Sequence, residues 1–301
     1  MATPITSVRV GSLTDIGELR DHNEDDLCVL PQVGRNTQAA SGTRFTLGQA
    51  GCLLVVADGM GGATSGEVAS QQAVMAIRDY FTATDQADFS DSTRVEHLER
   101  SIFYAQVKLI NLIKQQPHFK GMGTTVAIAW VVDDRAYVGW VGDSRCYLME
   151  ASGRFRLLTN DHSVVWQLVM AGKLTPEEAN QHDERNIITQ SLGSADHPPC
   201  PEFITVPLQQ GDRLLLCSDG LNSMLTDKAI AGILRQWPNS EHTCQQLVKA
   251  ANEAGGEDNI TVVMLDVLEA AQATRNTADA LPPIQDPART RVWNFIKNIR
   301  L

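Results

Sequence analysis

The feature that most limits how this chain can fold is a series of short β-branched or apolar runs with very brief connections. They fall at Ser7–Gly11, Asp26–Leu30, Gly51–Ala57, Thr124–Val132, Ala136–Val141, Cys146–Glu150, Phe155–Leu158, Glu202–Pro207, Asp212–Cys217 and Asn259–Val267. Asp133-Asp134 separates one pair, Ala151-Ser152-Gly153 another, and Gln209-Gln210-Gly211-Asp212 a third. Turn residues of this kind reverse the chain at once, and strands joined so tightly pair antiparallel.

Helical periodicity fills the gaps between these runs. From Thr93 to Gln116 the residues Val95, Leu98, Ile102, Ala105, Leu109 and Leu112 step by three and four into one apolar stripe. Val74, Ile77 and Phe81 do the same within Ser65–Phe81, and Asp227–Gln236 and Glu241–Ala254 predict a second helix pair. Strands in runs with helices in pairs between them predict a sheet-based α+β fold with helices outside. Pro31–Gln49 reads as an exposed loop. Residues 160–194, with Gly172 and Pro176 among short helical pieces, read as an inserted subdomain or lid.

Of 301 residues, 43% are apolar, enough for one large domain or two modest ones. The spacing of elements predicts a domain over 1–268, a linker rich in Ala, Thr, Asp and Pro over 269–287, and a basic amphipathic tail over 288–301. The tail carries Arg289, Arg291, Lys297 and Arg300, with Val292, Phe295, Ile296 and Ile299 at helical spacing. That pattern suits docking on the acidic domain, binding a partner, or touching an anionic membrane. The formal charge of −11 repels nucleic acid, so no nucleic-acid partner is expected. Six scattered cysteines without a C-x-x-C pair argue against zinc or a disulfide framework. The N-terminus lacks signal-peptide character, and the apolar runs are too short to span a bilayer, so a cytoplasmic location is expected.

Five aspartates stand at strand ends or in the turn beyond. Asp58 lies in Asp58-Gly59-Met60-Gly61-Gly62, Asp143 in Gly142-Asp143-Ser144-Arg145, and Asp219 in Ser218-Asp219-Gly220. Asp258 precedes a run in Glu257-Asp258-Asn259, and Asp25 opens one beside Glu24. Carboxylates that converge on a sheet edge repel unless a cation sits between them, and an all-oxygen donor set selects hard ions such as Mg²⁺ or Mn²⁺. Gly59 and Gly220 follow two of these aspartates, where glycine allows a carbonyl to approach a metal or the chain to turn sharply. A single Asp-Gly is ordinarily just a turn, and spacing alone names no reaction.

The ordered set does name one. Arg20-Asp21-His22-Asn23-Glu24-Asp25, Asp58-Gly59-Met60-Gly61-Gly62, Gly121-Met122-Gly123-Thr124-Thr125, Gly142-Asp143-Ser144-Arg145, Leu158-Thr159-Asn160-Asp161-His162-Ser163, Ser218-Asp219-Gly220-Leu221 and Glu257-Asp258-Asn259 follow in order. Together they resemble the PPM, or type 2C, metal-dependent serine/threonine protein phosphatases, in particular the bacterial branch, from about Ser7 to Val267. The resemblance implies a four-layer α-β-β-α sandwich of two antiparallel sheets flanked by helices, with an inserted flap at about 160–194. It implies a centre of two Mn²⁺ or Mg²⁺ ions whose shared water attacks phosphorus directly. Asp58 would bridge the ions, the Gly59 carbonyl would bind one, and Asp219 and Asp258 would complete the other. Glu24 and Asp25 would hold metal waters, and Asp143 with Asp219 would hold the third ion of bacterial members. Arg20 matches the phosphate-binding arginine.

Met60 departs from some eukaryotic relatives, which have a histidine there as proposed general acid. His162, in the flap, is a candidate proton donor in its place, or a residue that orders the flap. The expected partners are phosphorylated proteins, in opposition to a serine/threonine kinase, and the expected state is a monomer. Two other readings remain open at this stage: a pseudophosphatase that only binds phosphorylated partners, and a hydrolase of small phosphate esters. The retained metal aspartates weigh against the first.

Overall fold

A computed structural model describes residues 4–61, 65–84, 89–90, 92–179 and 182–270. The expected tail and nearly all of the expected linker lie outside the described residues, as does Gly62.

Two antiparallel sheets stack face to face. One has the order β3 (Arg44–Thr46), β1 (Ile5–Asp15), β12 (Ile260–Ala270), β11 (Arg213–Cys217), β8 (Arg145–Met149), β9 (Phe155–Leu157). The other runs β10 (Glu202–Pro207), β7 (Arg135–Val141), β6 (Val126–Val132), β4 (Cys52–Met60), β2 (Asp25–Leu30), with the two-residue β5 (Gly123–Thr124) paired to β4. Helices α1 (Ser65–Ala83) and α2 (Arg94–Gln115) cover the second sheet. On the first lie α5 (Asp219–Asn222), α6 (Asp227–Gln236) and α7 (Ser240–Glu253). This is the expected sandwich.

Alternation along continuous apolar strands builds its three cores. In β4, Leu53, Val55 and Ala57 face the α1–α2 layer while Cys52, Leu54 and Val56 face the opposite sheet, all wholly buried. Successive side chains of a strand point to opposite faces, so one hydrophobic run serves two cores. β12 does likewise, with Val263 and Leu265 between the sheets and Val262 and Met264 against α6 and α7. The stripe of α2 buries Leu98, Ile102, Ala105 and Leu109 as its spacing requires. At the start of α7, Asp266 Oδ2 accepts from Ser240 N at 2.9 Å while Oδ1 takes Arg213 Nε at 2.8 Å. A carboxylate there satisfies an orphan donor and complements the helix dipole.

Three sequence expectations need correction. The turn at 209–212 does not pair the strands it joins, because β10 pairs with β7 in one sheet while β11 lies between β8 and β12 in the other, so this short connection crosses between the sheets. Pro31–Gln49 is not simply an exposed loop, because Arg44–Thr46 pairs with Ser7–Arg9 as β3, and Val33 and Leu47 are buried. Three residues carry no readable period, and only pairing with β1 makes them a strand. The last strand also continues to Ala270, two residues into the expected linker, where Ile5↔Ala270 closes the ladder with β1. The flap holds α3 (Val164–Met170) and α4 (Pro176–Ala179). Two bridges, Ser163↔Ile188 and Thr124↔Leu192, stitch its returning arm down. Among the described residues no helix is long and apolar enough to cross a membrane.

Candidate metal centre

The strand ends bring the five aspartates to one edge of the sandwich. Asp25 and Asp58 are direct cross-strand partners in the β2–β4 ladder. In the other sheet β8, β11 and β12 are neighbours, with Cys217 opposite both Arg145 and Val262. Asp143 just before β8, Asp219 just after β11 and Asp258 just before β12 therefore emerge side by side. Ser218-Asp219-Gly220 is not a bare turn, since Asp219 opens the one-turn helix α5.

Their mutual electrostatics mark them as one cluster. Loss of hydration, then repulsion from Asp25, Asp219, Asp143 and Asp258, holds the Asp58 carboxyl well above the usual carboxylate range. Burial and then Asp219 and Asp161 do the same to Asp143. Asp25 is pushed up to about 8, mainly by burial, and Asp219 to about 6 by burial and then by Asp258. Asp25 Oδ2 accepts from Ser218 Oγ at 2.7 Å, but Asp25 Oδ1 and Asp219 Oδ1 are enclosed with no hydrogen-bond partner. Enclosed, unpartnered carboxylate oxygens are costly, and a cation among them removes the cost.

A hydroxyl scaffold fixes Asp58. Its N–H donates to Thr125 Oγ1 at 3.0 Å, and its carbonyl accepts from Thr124 Oγ1 and Thr125 N, each at 2.8 Å. Thr125 Oγ1 and Ser144 Oγ lie 2.7 Å apart, tying the Asp58 strand to the Asp143 turn. Gly59 is required by close packing. A Cβ there would fall 2.1 Å from Gly66 O and 2.6 Å from Glu24 O. Gly220 is alike, with Asn259 O 2.1 Å away. Neither has positive φ; within the Asp58 motif that conformation belongs to Gly61, at +134°. Glu24, in the β1–β2 loop, packs against Gly66 in the first turn of α1, with its Oε1 3.4 Å from His22 Nε2.

Arg20 reaches the cluster from the β1–β2 loop. Its Nη2 donates to Asp258 Oδ2 at 2.7 Å and its Nε to Glu257 O at 3.4 Å, with half the side chain exposed. Among the described residues no three carboxylate, imidazole or thiol groups stand close enough to grip one ion as they are. Asp258 turned toward Arg20 is one physical reason. The donor chemistry still fits hard cations, because the oxygens are anionic, converge, and are in part unpartnered.

His162 is buried at the start of the flap, beside the Asp143 turn. Its Nδ1 accepts from Gly142 N at 3.1 Å, so the ring proton is on Nε2, which lies 3.4 Å from Glu202 Oε1. Its backbone bonds Gly142 O at 2.9 Å and Thr189 N at 2.7 Å, and its ring stacks on Trp140. These bonds tie the start of the flap to the turn between β7 and β8 and to Thr189.

Sequence reasoning missed the hydroxyls of Thr125, Ser144 and Ser218, although each stood inside a quoted motif beside an aspartate or another Thr. It also missed Asp161, which grips the buried Arg145 guanidinium by Nε at 2.9 Å and Nη2 at 2.6 Å. Trp166 lies over that guanidinium, 5.9 Å from ring centre to Cζ. A small cavity between the flap and the aspartates is lined by Asp143, Arg145, Trp166, Arg185, Asp219 and Asn222.

The chain is similar to known proteins over most of its length. Residues 32–261 match the sequence pattern of the family described as Protein phosphatase 2C. Protein phosphatase PhpP of Streptococcus pneumoniae is 35% identical over 262 residues, covering 87% of this chain and 98% of that protein. The solved serine/threonine phosphatase of S. agalactiae superposes with a TM-score of 0.75 at 36% identity, over 86% of this chain and 99% of that one. The catalytic domain of the serine/threonine protein phosphatase PstP, solved with two manganese ions, gives 0.70 at 30% identity, over 87% and 99%. Similarity this even, carried across the whole described domain and across nearly the full length of each relative, makes the chain a member of the protein phosphatase 2C family.

Proposed function

We propose that this phosphatase removes phosphate from phosphoserine and phosphothreonine of other proteins, opposing a serine/threonine kinase in the cytoplasm, with Mn²⁺ or Mg²⁺ held by Asp58, the Gly59 carbonyl, Asp219 and Asp258. The observation that carries the reading is the pair of enclosed, unpartnered carboxylate oxygens on Asp25 and Asp219 within four mutually repelling acids. Relatives named as serine/threonine phosphatases support the substrate class, and the two manganese ions in PstP support the choice of ion.

Bound there, two hard cations would supply Lewis acidity, lowering the pKa of coordinated water toward neutrality and screening charge on the phosphoryl group. The chain's own residues do the rest. Arg20 presents a planar fork that takes two phosphate oxygens at once, exchanging Asp258 for substrate. Thr125 and Ser144 keep Asp58 and Asp143 in register, and Ser218 orients Asp25 and leaves one of its oxygens free for a cation or its water. Asp143 with Asp219 would hold a third ion, and Glu24 would hold coordinated water. His162 anchors the flap, so the leaving alkoxide takes its proton from solvent or another donor. The chain acts as a monomer.

Hydrolysis of an aryl phosphate in Mn²⁺, with and without chelator, and with Asp219→Ala as control, tests the reading. Phosphopeptide turnover then separates protein from small-molecule substrates. Arg20→Ala should raise KM about tenfold or more and leave Mn²⁺ affinity undiminished. A wild-type protein inert in saturating Mn²⁺ would favour the phosphopeptide-binding reading instead.

A further inference from the structure

Asn259 stands among the acids, hydroxyls and Arg20 of the centre as a buried neutral amide. It is 4% exposed and sits between Asp258 and the first residue of β12. Its carboxamide is fully engaged. Oδ1 accepts from Glu24 N at 2.8 Å, and Nδ2 donates to Ile16 O at 2.9 Å and to His22 O at 3.0 Å. All three partners are backbone groups of the loop between β1 and β2, and they bracket Arg20 in sequence.

The main chain of Asn259 meets the other parts of the centre. Its N–H donates to Asp258 Oδ1 at 2.8 Å, turning the other carboxyl oxygen toward Arg20. Its carbonyl is the atom that forbids a Cβ at Gly220, and Ser218 Oγ approaches it at 3.4 Å. One residue thus joins the arginine loop to two metal-ligand candidates. The loop's second anchor is Gly256 O, which accepts from Glu18 N at 2.8 Å and Leu19 N at 3.3 Å. Arg20 lies on the span between these anchors.

The chemistry is demanding. The position needs two donors and one acceptor on a short side chain, which an asparagine supplies. Aspartate has the same shape but would set an anionic oxygen against the carbonyls of Ile16 and His22. Serine is too short to serve all three groups.

We propose that Asn259 is a positioning residue for phosphate recognition: its carboxamide sets the β1–β2 loop so that Arg20 stands over the aspartate cluster. The inference rests on the phosphate role given to Arg20 above. It concerns how well substrate is held, and it leaves the chemical step to the acids.

The test uses the full chain in saturating Mn²⁺, with an aryl phosphate as substrate and inorganic phosphate as competitive probe. Asn259→Asp should raise KM and the phosphate inhibition constant each about tenfold, with kcat within about threefold. In an Arg20→Ala background the same change should move KM less than about twofold, because the two residues act through one contact. Hydrogen exchange gives a readout free of activity. Amides of residues 16–24 should exchange about tenfold faster in the variant, while those of β6 stay as slow as in the wild type. Undiminished effects in the Arg20→Ala background, or an unchanged exchange rate in the loop, would overturn the proposal. Should Asn259→Asp fail to fold, Asn259→Ser is judged by the same measures, and unfolding of both would also overturn it. Arg20→Ala with unchanged KM would instead defeat the phosphate role of Arg20, while loop exchange would still report whether Asn259 holds the segment.

Discussion

Replacing Asp219 by asparagine should stabilise the protein in chelator and destabilise it, relative to wild type, in manganese. The carboxyl of Asp219 is raised from 3.8 to about 6 by burial and by Asp258. A carboxyl raised on folding holds its proton more tightly in the folded chain than in the unfolded one. Stability therefore falls as pH climbs from 3.8 to about 6, and the whole cost is present above that. At about 1.4 kcal/mol per pH unit the cost is roughly 3 kcal/mol, an upper bound because part of the residue faces the cleft. Asparagine keeps the shape, cannot ionise, and finds carboxylate acceptors for its amide among its neighbours. In EDTA at pH 7.5 the variant should melt about 5–10 °C above wild type, at about 2–4 °C per kcal/mol for a domain of this size. In millimolar Mn²⁺ the wild type gains stability by mass action and the variant gains much less, so the order reverses. Calorimetry of both proteins in both buffers is the assay. A variant that melts below wild type in EDTA would show that Asp219 is not held as an uncompensated charge, and the electrostatic case for the metal centre would fail with it.

Further outcomes are expected for pH, metal and three other substitutions. The metal-free wild type should lose stability as pH climbs from about 3.8 to about 8, the Asp219 share ending near 6 and the Asp25 share near 8, because both carboxyls are raised above 3.8 on folding. Mn²⁺ should flatten that slope and release protons on binding, read by titration calorimetry in buffers of different ionisation enthalpy. Gly59→Ala, whose Cβ would fall 2.1 Å from Gly66 O, should cost about 3 kcal/mol in a denaturant melt. By contrast, Gly232→Ala in α6, with open space at its Cβ, should stabilise by about 0.5–1 kcal/mol. His162→Ala should leave the shape of the pH–rate profile unchanged while making residues 160–194 cleave faster in limited proteolysis; an altered basic limb with an unchanged flap would return His162 to the proton-donor role.

What the sequence made legible follows a physical rule. The sandwich could be read because β4 and β12 are apolar on both faces, and α2 repeats its stripe over several turns; such signals need no knowledge of neighbours. The aspartates could be read because each stands where an apolar run stops, so strand registry alone delivers it to an edge. Illegible were features made only by contact. β3 is a strand because β1 lies beside it. Gly59 is glycine because Gly66 and Glu24 press on it, and periodicity carries no trace of that approach.

The site's polar scaffold marks the same boundary from the other side. Thr125, Ser144 and Ser218 are ordinary residue types, and their role lies in bonds between segments far apart in sequence, such as Ser218 to Asp25. Each such bond satisfies one oxygen of an acid, or one backbone group beside it, and leaves the remaining lone pairs turned inward. A cluster made only of carboxylates would relax by swinging its side chains to solvent, and one fully satisfied by hydroxyls would have no use for a cation. The hydroxyls satisfy part of the demand and block escape, so repulsion among Asp25, Asp58, Asp143 and Asp219 persists in the folded chain, and a hard cation is the species that relieves it most.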